Sequence, residues 1–224
     1  MKLTVVLWVV CVGTAYTQTK TYDTLPNLPE HYTQRYQLFQ KERMVKGNII
    51  MLGNSITEGG NWKKLLNDTS VLNRGISGDV TFGVLHRLPD VTERKPSKVF
   101  LLIGINDLSR NTPDEVVIEN IFNIVIQIHG RSPQTQVYVQ SILPTNEIFK
   151  NFLKEFKGKA ESVITINSQL RKYASKLRYT YIDLHSTFTD NEGRMNALYS
   201  TDGLHLNAKG YEHWVDFLKK EKYL

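Results

Sequence analysis

The sequence predicts an α/β fold in which a central parallel sheet of about five strands lies between two layers of helices. Short apolar segments recur along the chain and alternate with segments whose apolar residues are three and four positions apart. This alternation is typical of βαβ units, whose helices cover both faces of a parallel sheet. The length of 224 residues fits one domain, and a hydrophobic content of 41% is ordinary for a globular protein.

The first 15 residues are predicted to be a secretory signal peptide. Lys2 gives a positive start, residues 3–12 form a largely apolar run too short to span a bilayer, and residues 13–15 are small, as a cleavage site requires. Cys11, the only cysteine, follows a valine rather than the small residue that a lipidation site needs. A secreted or periplasmic protein is therefore favoured over a lipid-anchored one.

Residues 16–47 are predicted to be a leader and an N-terminal helix that packs on the domain, with Tyr32, Tyr36 and Phe39 on one helical face. The α/β domain is expected over residues 48–224. The net charge of +6 does not indicate a nucleic-acid partner, because the basic residues are dispersed along the chain.

Five short apolar segments are expected to form the strands. They cover residues 48–52, 71–73, 98–103, 135–141 and 179–184. Helices are expected over residues 62–66, 112–130 and 163–177, and after Asn207, which can cap the last helix. Thr112 and Glu115 predict a capping box, and Gly130 predicts a stop. Polar residues interrupt the apolar run 116–128, which is typical of a buried helix, so no stable membrane insertion is expected.

Reactive and polar residues follow the strands, where parallel sheets place their sites. Ser55 follows the first strand at a predicted helix N-terminus, where free N–H groups favour a developing negative charge. Gly78 follows the second strand and Asn106 the third. Asp202 and His205 are three residues apart in the loop before the last helix, so their side chains can meet through a tight turn.

These residues make a complete set for acyl transfer. Ser55 is predicted to be the nucleophile, His205 its general base and then acid, and Asp202 the carboxylate that orients the imidazole. The N–H groups of Ser55 and Gly78 and the amide of Asn106 are predicted to form the oxyanion hole. No metal or other cofactor is expected, because the sequence has neither a His-Glu-x-x-His motif nor a Gly-x-x-x-x-Gly-Lys loop.

The segments that contain these residues resemble the motifs of a known family. They read GNSIT at 53–57, NRGISGD at 73–79, GIND at 104–107 and DGLH at 202–205. With these motifs the chain resembles the SGNH hydrolase superfamily, also called GDSL esterases and lipases. Within it, the chain is similar to the platelet-activating-factor acetylhydrolase catalytic-subunit type and to bacterial carbohydrate acetylesterases. The resemblance implies a three-layer, flavodoxin-like fold and gives the family's catalytic and oxyanion roles to the same five residues.

Two residues depart from the family pattern. Asn54 stands where the first motif usually has aspartate, and Ser77 stands where the acetylhydrolase type often has glycine. Asparagine keeps the shape and one acceptor but removes a charge near the nucleophile. Because Asn54 is not a triad residue, we expect the change to be tolerated.

Other polar and aromatic residues receive separate predictions. Trp62 and Asn146 follow strand-end loops and are predicted to contact substrate, whereas Trp214 lies on an apolar helical stripe and is predicted to be core. Asp79 is predicted to cap a helix, and Asp183 to be structural at a strand end.

The leading hypothesis is a secreted serine esterase that removes acetyl or other short acyl groups, from carbohydrate or another small-molecule ester. A lysophospholipase or thioesterase acting on longer chains is the alternative among enzymes, and it requires an apolar groove. From another class, the chain could be a non-catalytic carbohydrate-binding protein or a flavodoxin-like module with a phosphate cradle over residues 55–60. The flavodoxin-like alternative leaves Asp202 and His205 without a role. The oligomeric state stays open.

Overall fold

Five parallel strands form one sheet in the computed structural model, which describes residues 29–224. The strands are β1 (Ile49–Gly53), β2 (Leu72–Gly75), β3 (Lys98–Leu102), β4 (Gln136–Gln140) and β5 (Thr180–Ile182). Their order is β2-β1-β3-β4-β5. The predicted α/β class and parallel sheet are confirmed, with strand ends displaced by at most two residues. The predicted signal peptide and residues 16–28 of the leader lie outside the described residues.

Helices cover both faces of this sheet. They are α1 (Glu30–Lys41), α2 (Ser55–Glu58), α3 (Trp62–Leu66), α4 (Thr81–Glu93), α5 (Ile105–Ser109), α6 (Asp114–Arg131), α7 (Ala160–Leu177), α8 (Leu184–Phe188) and α9 (Ala208–Lys220). Helix α4 packs on α6 and α6 on α7, whereas α3 packs on α9. These two groups are the outer layers that right-handed crossovers produce on opposite faces of a parallel sheet.

Apart from Lys98, strands β1 and β3 are apolar because both of their faces are covered. Ile50, Met51 and Leu52 of β1 have no exposed surface, and Leu101 and Leu102 of β3 are almost as deeply buried. Each such side chain stabilises the fold by about 1.5–3 kcal/mol relative to an exposed one. The continuous apolar runs in the sequence therefore mark the middle of the sheet.

The strand order reverses beside β1, because β2 lies on one side of it and β3 on the other. Gly53 of β1 pairs with Gly75 of β2 and with Leu102 of β3. The segments that follow these three strands therefore begin at the same level of the sheet. Such a switch point opens a crevice at the carboxyl ends of the strands.

Helix α6 differs from its predicted ends. Pro113 is its N-cap and no side chain caps it, while the Thr112 N–H donates to the Asp107 carbonyl. The predicted capping box is therefore wrong. Gly130 lies inside the helix, which ends at Arg131. A glycine costs a helix only about 1 kcal/mol, less than the burial of neighbouring Ile128 contributes.

Other local predictions are confirmed. The Asn207 side chain accepts from Gly210 N–H and caps α9. Asp183 caps α8 by accepting from Ser186 N–H. None of the helices within residues 29–224 combines the length and the apolar character needed to cross a membrane.

Candidate active site

Ser55 is the first residue of α2, directly after β1. The preceding Asn54 is buried, and its Oδ1 accepts from Ile56 N–H at 3.1 Å. Helix α2 lies tightly against β2, since a Cβ on Gly75 would stand 2.1 Å from the Glu58 nitrogen. From α9, the Tyr211 hydroxyl donates to the Ile56 carbonyl at 2.8 Å. These contacts fix the position from which Ser55 projects.

Ser55, His205 and Asp202 form one hydrogen-bonded chain. The Ser55 Oγ and His205 Nε2 are 3.1 Å apart, and the His205 Nδ1 and Asp202 Oδ2 are 2.7 Å apart. An ionised carboxylate only accepts hydrogen bonds, so Nδ1 carries the proton and Nε2 presents its lone pair to the Ser55 hydroxyl. The structure therefore brings together the three residues predicted as a triad, although 150 positions separate the serine from the histidine.

The loop that carries Asp202 and His205 is held by its own backbone. Asp202 Oδ1 accepts from the N–H groups of Leu204 and His205 at 2.9 and 2.7 Å. Ser200 Oγ donates to the His205 carbonyl at 2.7 Å and accepts from Gly203 N–H at 2.8 Å. Ser200 was not identified from the sequence, and its spacing five residues before His205 is a signal that could have indicated it.

The environment of Asp202 favours its ionised form. Partial burial pushes the pKa of Asp202 upward, but hydrogen bonds from the His205 ring and from the N–H groups of His205 and Leu204 outweigh burial and hold the pKa below the usual range. The carboxylate is therefore ionised at neutral pH. The side chains of His205 and Asp202 remain 35% and 21% exposed, so a substrate can reach the imidazole from solvent.

Gly78 and Asn106 lie at the same edge of the sheet. Gly78 is exposed and has a φ of 77°, a backbone conformation that glycine adopts without strain. The Asn106 Nδ2 donates one hydrogen to the Asp79 carbonyl at 2.9 Å, which leaves its second hydrogen available. Among residues 29–224, no protein acceptor is bonded to the N–H of Ser55 or of Gly78. Three donors thus remain free at the carboxyl edge of the sheet.

Asp79 does not have the predicted capping role. Its buried carboxylate accepts from the Arg87 guanidinium at 2.9 Å, and the N-cap residue of α4 is Val80. The first N–H of α4 is satisfied instead by Asp107, which accepts from Thr81 N–H and Oγ at 3.1 and 2.6 Å. The sequence could not show this because Asp107 reaches α4 from another strand end.

Trp62 and Asn146 do not line the site. Trp62 is 1% exposed, donates from its indole to the Thr57 carbonyl at 2.7 Å and packs edge-on against Trp214. The buried Asn146 amide donates to the Met195 carbonyl and accepts from Ile148 N–H. The predicted substrate contacts are therefore not supported, because both side chains are used within the protein. Trp214 is core, as predicted.

No metal-binding cluster is found in the part of the chain that the structure describes: no three His, Cys, Asp or Glu side chains come together there in a suitable arrangement. The chain of bonds through Ser55, His205 and Asp202 can transfer a proton between serine and histidine. This is the arrangement of a nucleophile activated by a general base.

Comparison with known proteins places this geometry in a family. The GDSL-like Lipase/Acylhydrolase family model matches residues 51–213, which include all four motifs. Platelet-activating factor acetylhydrolase IB subunit alpha2 of Rattus norvegicus is 31% identical over 152 residues, 67% of this chain and 63% of that protein. The match thus spans less than two thirds of that relative.

Solved structures agree with the fold. A Streptococcus pneumonia protein assigned as a platelet activating factor superposes with a TM-score of 0.74 at 28% identity, covering 85% of this chain and 90% of the other. The acetyl xylan esterase AlAXEase superposes with a TM-score of 0.64 at 18% identity, covering 78% and 98%. At 18% identity the second likeness concerns the fold alone. The chain therefore belongs to the GDSL-like lipase/acylhydrolase family, within the SGNH hydrolase superfamily of ester hydrolases.

Proposed function

We propose that this chain is a secreted serine esterase that removes acetyl or other short acyl groups from carbohydrate or other small-molecule esters. The observation that carries the proposal is the hydrogen-bonded chain from Ser55 Oγ through the His205 ring to the Asp202 carboxylate. The secretion part of the proposal rests on the sequence of residues 1–15.

The geometry supports a two-step reaction. His205 Nε2 takes the hydroxyl proton as Ser55 Oγ attacks the ester carbonyl, and the electron pair moves onto the carbonyl oxygen. The N–H groups of Ser55 and Gly78 and the free hydrogen of the Asn106 amide stabilise that oxyanion. His205 then protonates the departing alcohol, which leaves an acyl group on Ser55. Water, deprotonated by His205, attacks the acyl-enzyme, and the carboxylic acid leaves as Ser55 recovers its proton.

Two observations support a small acyl group. The His205 and Asp202 side chains remain 35% and 21% exposed, so a short acyl ester can reach them from solvent. A relative that is 31% identical to this chain over 152 residues is named an acetylhydrolase. Removal of acetyl groups is therefore the activity that we propose.

A lysophospholipase or thioesterase activity on longer chains is the second candidate. Ile148 and Leu153, 69% and 42% exposed, lie in the segment after β4 whose Asn146 N–H donates to the Gly203 carbonyl. Exposed aliphatic side chains beside the loop of Asp202 and His205 could contact an acyl chain.

A substrate panel separates the two candidates. We expect acetylated sugars and p-nitrophenyl acetate to be hydrolysed, with kcat/KM at least about tenfold above that for p-nitrophenyl octanoate. The matched Ser55→Ala variant should lose at least about 10³-fold. A preference for octanoyl or longer esters would favour the second candidate, and undiminished turnover by Ser55→Ala would exclude a serine esterase of this design.

A further inference from the structure

We propose that Glu58 is a positioning residue for the oxyanion hole, and that it links the Gly78 turn to helix α1. The inference rests on the proposed esterase function, in which Gly78 N–H binds the oxyanion. It assigns a role to a carboxylate that lies outside the predicted triad.

Glu58 connects α2, the helix that begins at Ser55, to the oxyanion turn, which is the turn at residues 76–79 that contains Gly78. It is the last residue of this short helix. Its Oε2 accepts from Ser77 N–H at 2.5 Å and from Ser77 Oγ at 2.7 Å. Ser77 immediately precedes Gly78, so these two bonds fix the backbone on the N-terminal side of the oxyanion donor.

The other side of Gly78 is fixed by different residues. Asn106 Nδ2 donates to the Asp79 carbonyl, and Arg110 Nη2 donates to the Gly78 carbonyl, both at 2.9 Å. Gly78 has no side chain to restrict its backbone and is itself exposed. The direction of its N–H is therefore set by the backbone bond from Asp79 N–H to the Ile76 carbonyl together with the side-chain bonds on either side, of which Glu58 supplies the N-terminal pair.

Helix α1 supplies two side chains that face this carboxylate. His31 Nε2 and Arg35 Nε lie 3.0 and 3.2 Å from the Glu58 oxygens. Burial raises the pKa of Glu58, but the hydrogen bonds from His31 and Ser77 and the charge of Arg35 outweigh it and hold the pKa below the usual range. The carboxylate that holds Ser77 is thus ionised, and two of its four contacts come from α1.

The Ser77 hydroxyl strengthens the contact between the turn and Glu58. A glycine at this position could offer only its backbone N–H to Glu58, whereas the serine hydroxyl donates a second bond to the same oxygen. Charge-assisted bonds of this kind are roughly twice as strong as neutral ones. Ser77, which departs from the acetylhydrolase pattern, therefore supplies the second hydrogen bond that holds the turn to Glu58.

The test compares Glu58→Ala and Glu58→Gln with the control Glu42→Gln. Glu42 also links α1 to the domain, through Arg74 Nη2 at 2.6 Å, but it does not contact the oxyanion turn. With p-nitrophenyl acetate, we expect Glu58→Ala to lower kcat about 10–100-fold with KM within about twofold, because an oxyanion donor acts mainly in the transition state. Glu58→Gln, which keeps one acceptor for Ser77, should recover part of the loss. Glu42→Gln should retain wild-type kcat whatever its effect on Tm.

Wild-type kcat in a folded Glu58→Ala variant, or a loss confined to KM, would overturn the inference. If Glu58→Ala does not fold, Ser77→Ala provides the second variant, because it removes only the hydroxyl; a loss of about 3–10-fold in kcat supports the inference and an unchanged kcat overturns it. Ser55→Ala separates the two proposals: activity that survives in Ser55→Ala refutes the esterase mechanism, whereas inactive Ser55→Ala beside fully active Glu58→Ala refutes only the positioning role.

Discussion

Asn54 shows which contact the residue before Ser55 has to make. It is fully buried, and its side-chain oxygen caps α2 by accepting from Ile56 N–H. An amide oxygen does this as well as a carboxylate oxygen. The family's usual aspartate can therefore be replaced here without loss of the bond that sets the turn at Ser55.

Asp202 is the residue whose charge matters most for the imidazole. We expect Asp202→Asn to lower kcat for p-nitrophenyl acetate about 10³–10⁴-fold, because an amide neither stabilises the imidazolium nor holds the required tautomer. The matched control is Asp183→Asn, a half-buried carboxylate that caps α8 and pairs with Arg171. It should change kcat by less than about twofold, since it contacts neither Ser55 nor His205. Activity of Asp202→Asn close to that of wild type would contradict the assigned role.

The residues of the proposed triad could be predicted because their positions follow local rules. Ser55 follows an apolar strand, and Asp202 and His205 are close enough in sequence to meet through a turn. The predicted substrate contact of Trp62 is not supported, because its burial depends on residues that are distant in sequence. Its neighbours Tyr211 and Trp214 come from the far end of the chain, and no local pattern shows that α9 covers it.

At the scale of elements, the N-terminus of α4 is stabilised by a side chain of α5. Asp107 lies fully buried and accepts from the first N–H of α4 and from the Thr81 hydroxyl. Burial raises the pKa of Asp107 to about 7, although the bonds from Thr81 oppose the increase. An acid whose pKa is higher in the folded than in the unfolded protein binds a proton on folding between the two values.

The consequence is a pH dependence of stability. Since the folded pKa lies above the ordinary value of 3.8, Asp107 stabilises the fold at low pH and loses that contribution as pH rises towards about 7. The slope is about −1.4 kcal/mol per pH unit within this window. Over pH 5, 6 and 7, urea unfolding should show stability that falls with pH more steeply in wild type than in Asp107→Asn, by up to about 1.4 kcal/mol per pH unit. Parallel pH profiles for the two proteins would contradict the shifted titration.

Element types were predictable where periodicity was strong, and element ends were not. The five strands and the last helix follow from apolar runs and from Asn207 as a cap. The predicted start of α6 was wrong because the sequence Thr-Pro-Asp-Glu satisfies the capping-box pattern, whereas Pro113 itself is the N-cap in the structure. The first N–H of α4 is bonded to a side chain from α5, and the residues adjacent to α4 in the sequence cannot predict this contact.

At the scale of the whole molecule, the strand order assembles the site. Residues after β1, β2 and β3 meet because those strands are neighbours in register, and the loop before α9 brings His205 to Ser55. The sequence predicted a parallel sheet but not the side-chain contacts that hold α1 on the domain. His31 and Arg35 reach Glu58, and the buried Arg94 donates to the Phe39 carbonyl.

The proposed function requires that this assembled site activates the Ser55 hydroxyl as a nucleophile. Incubation of the full chain with a fluorophosphonate probe, followed by peptide mapping, tests it most directly, because the probe requires an activated serine and traps it covalently. Ser55→Ala controls for the labelled position, and Asp183→Asn controls for handling. We expect a stoichiometric adduct on the peptide that contains Ser55, absent in Ser55→Ala and present in Asp183→Asn. An unlabelled, folded wild-type chain, or an adduct that persists in Ser55→Ala, would contradict it.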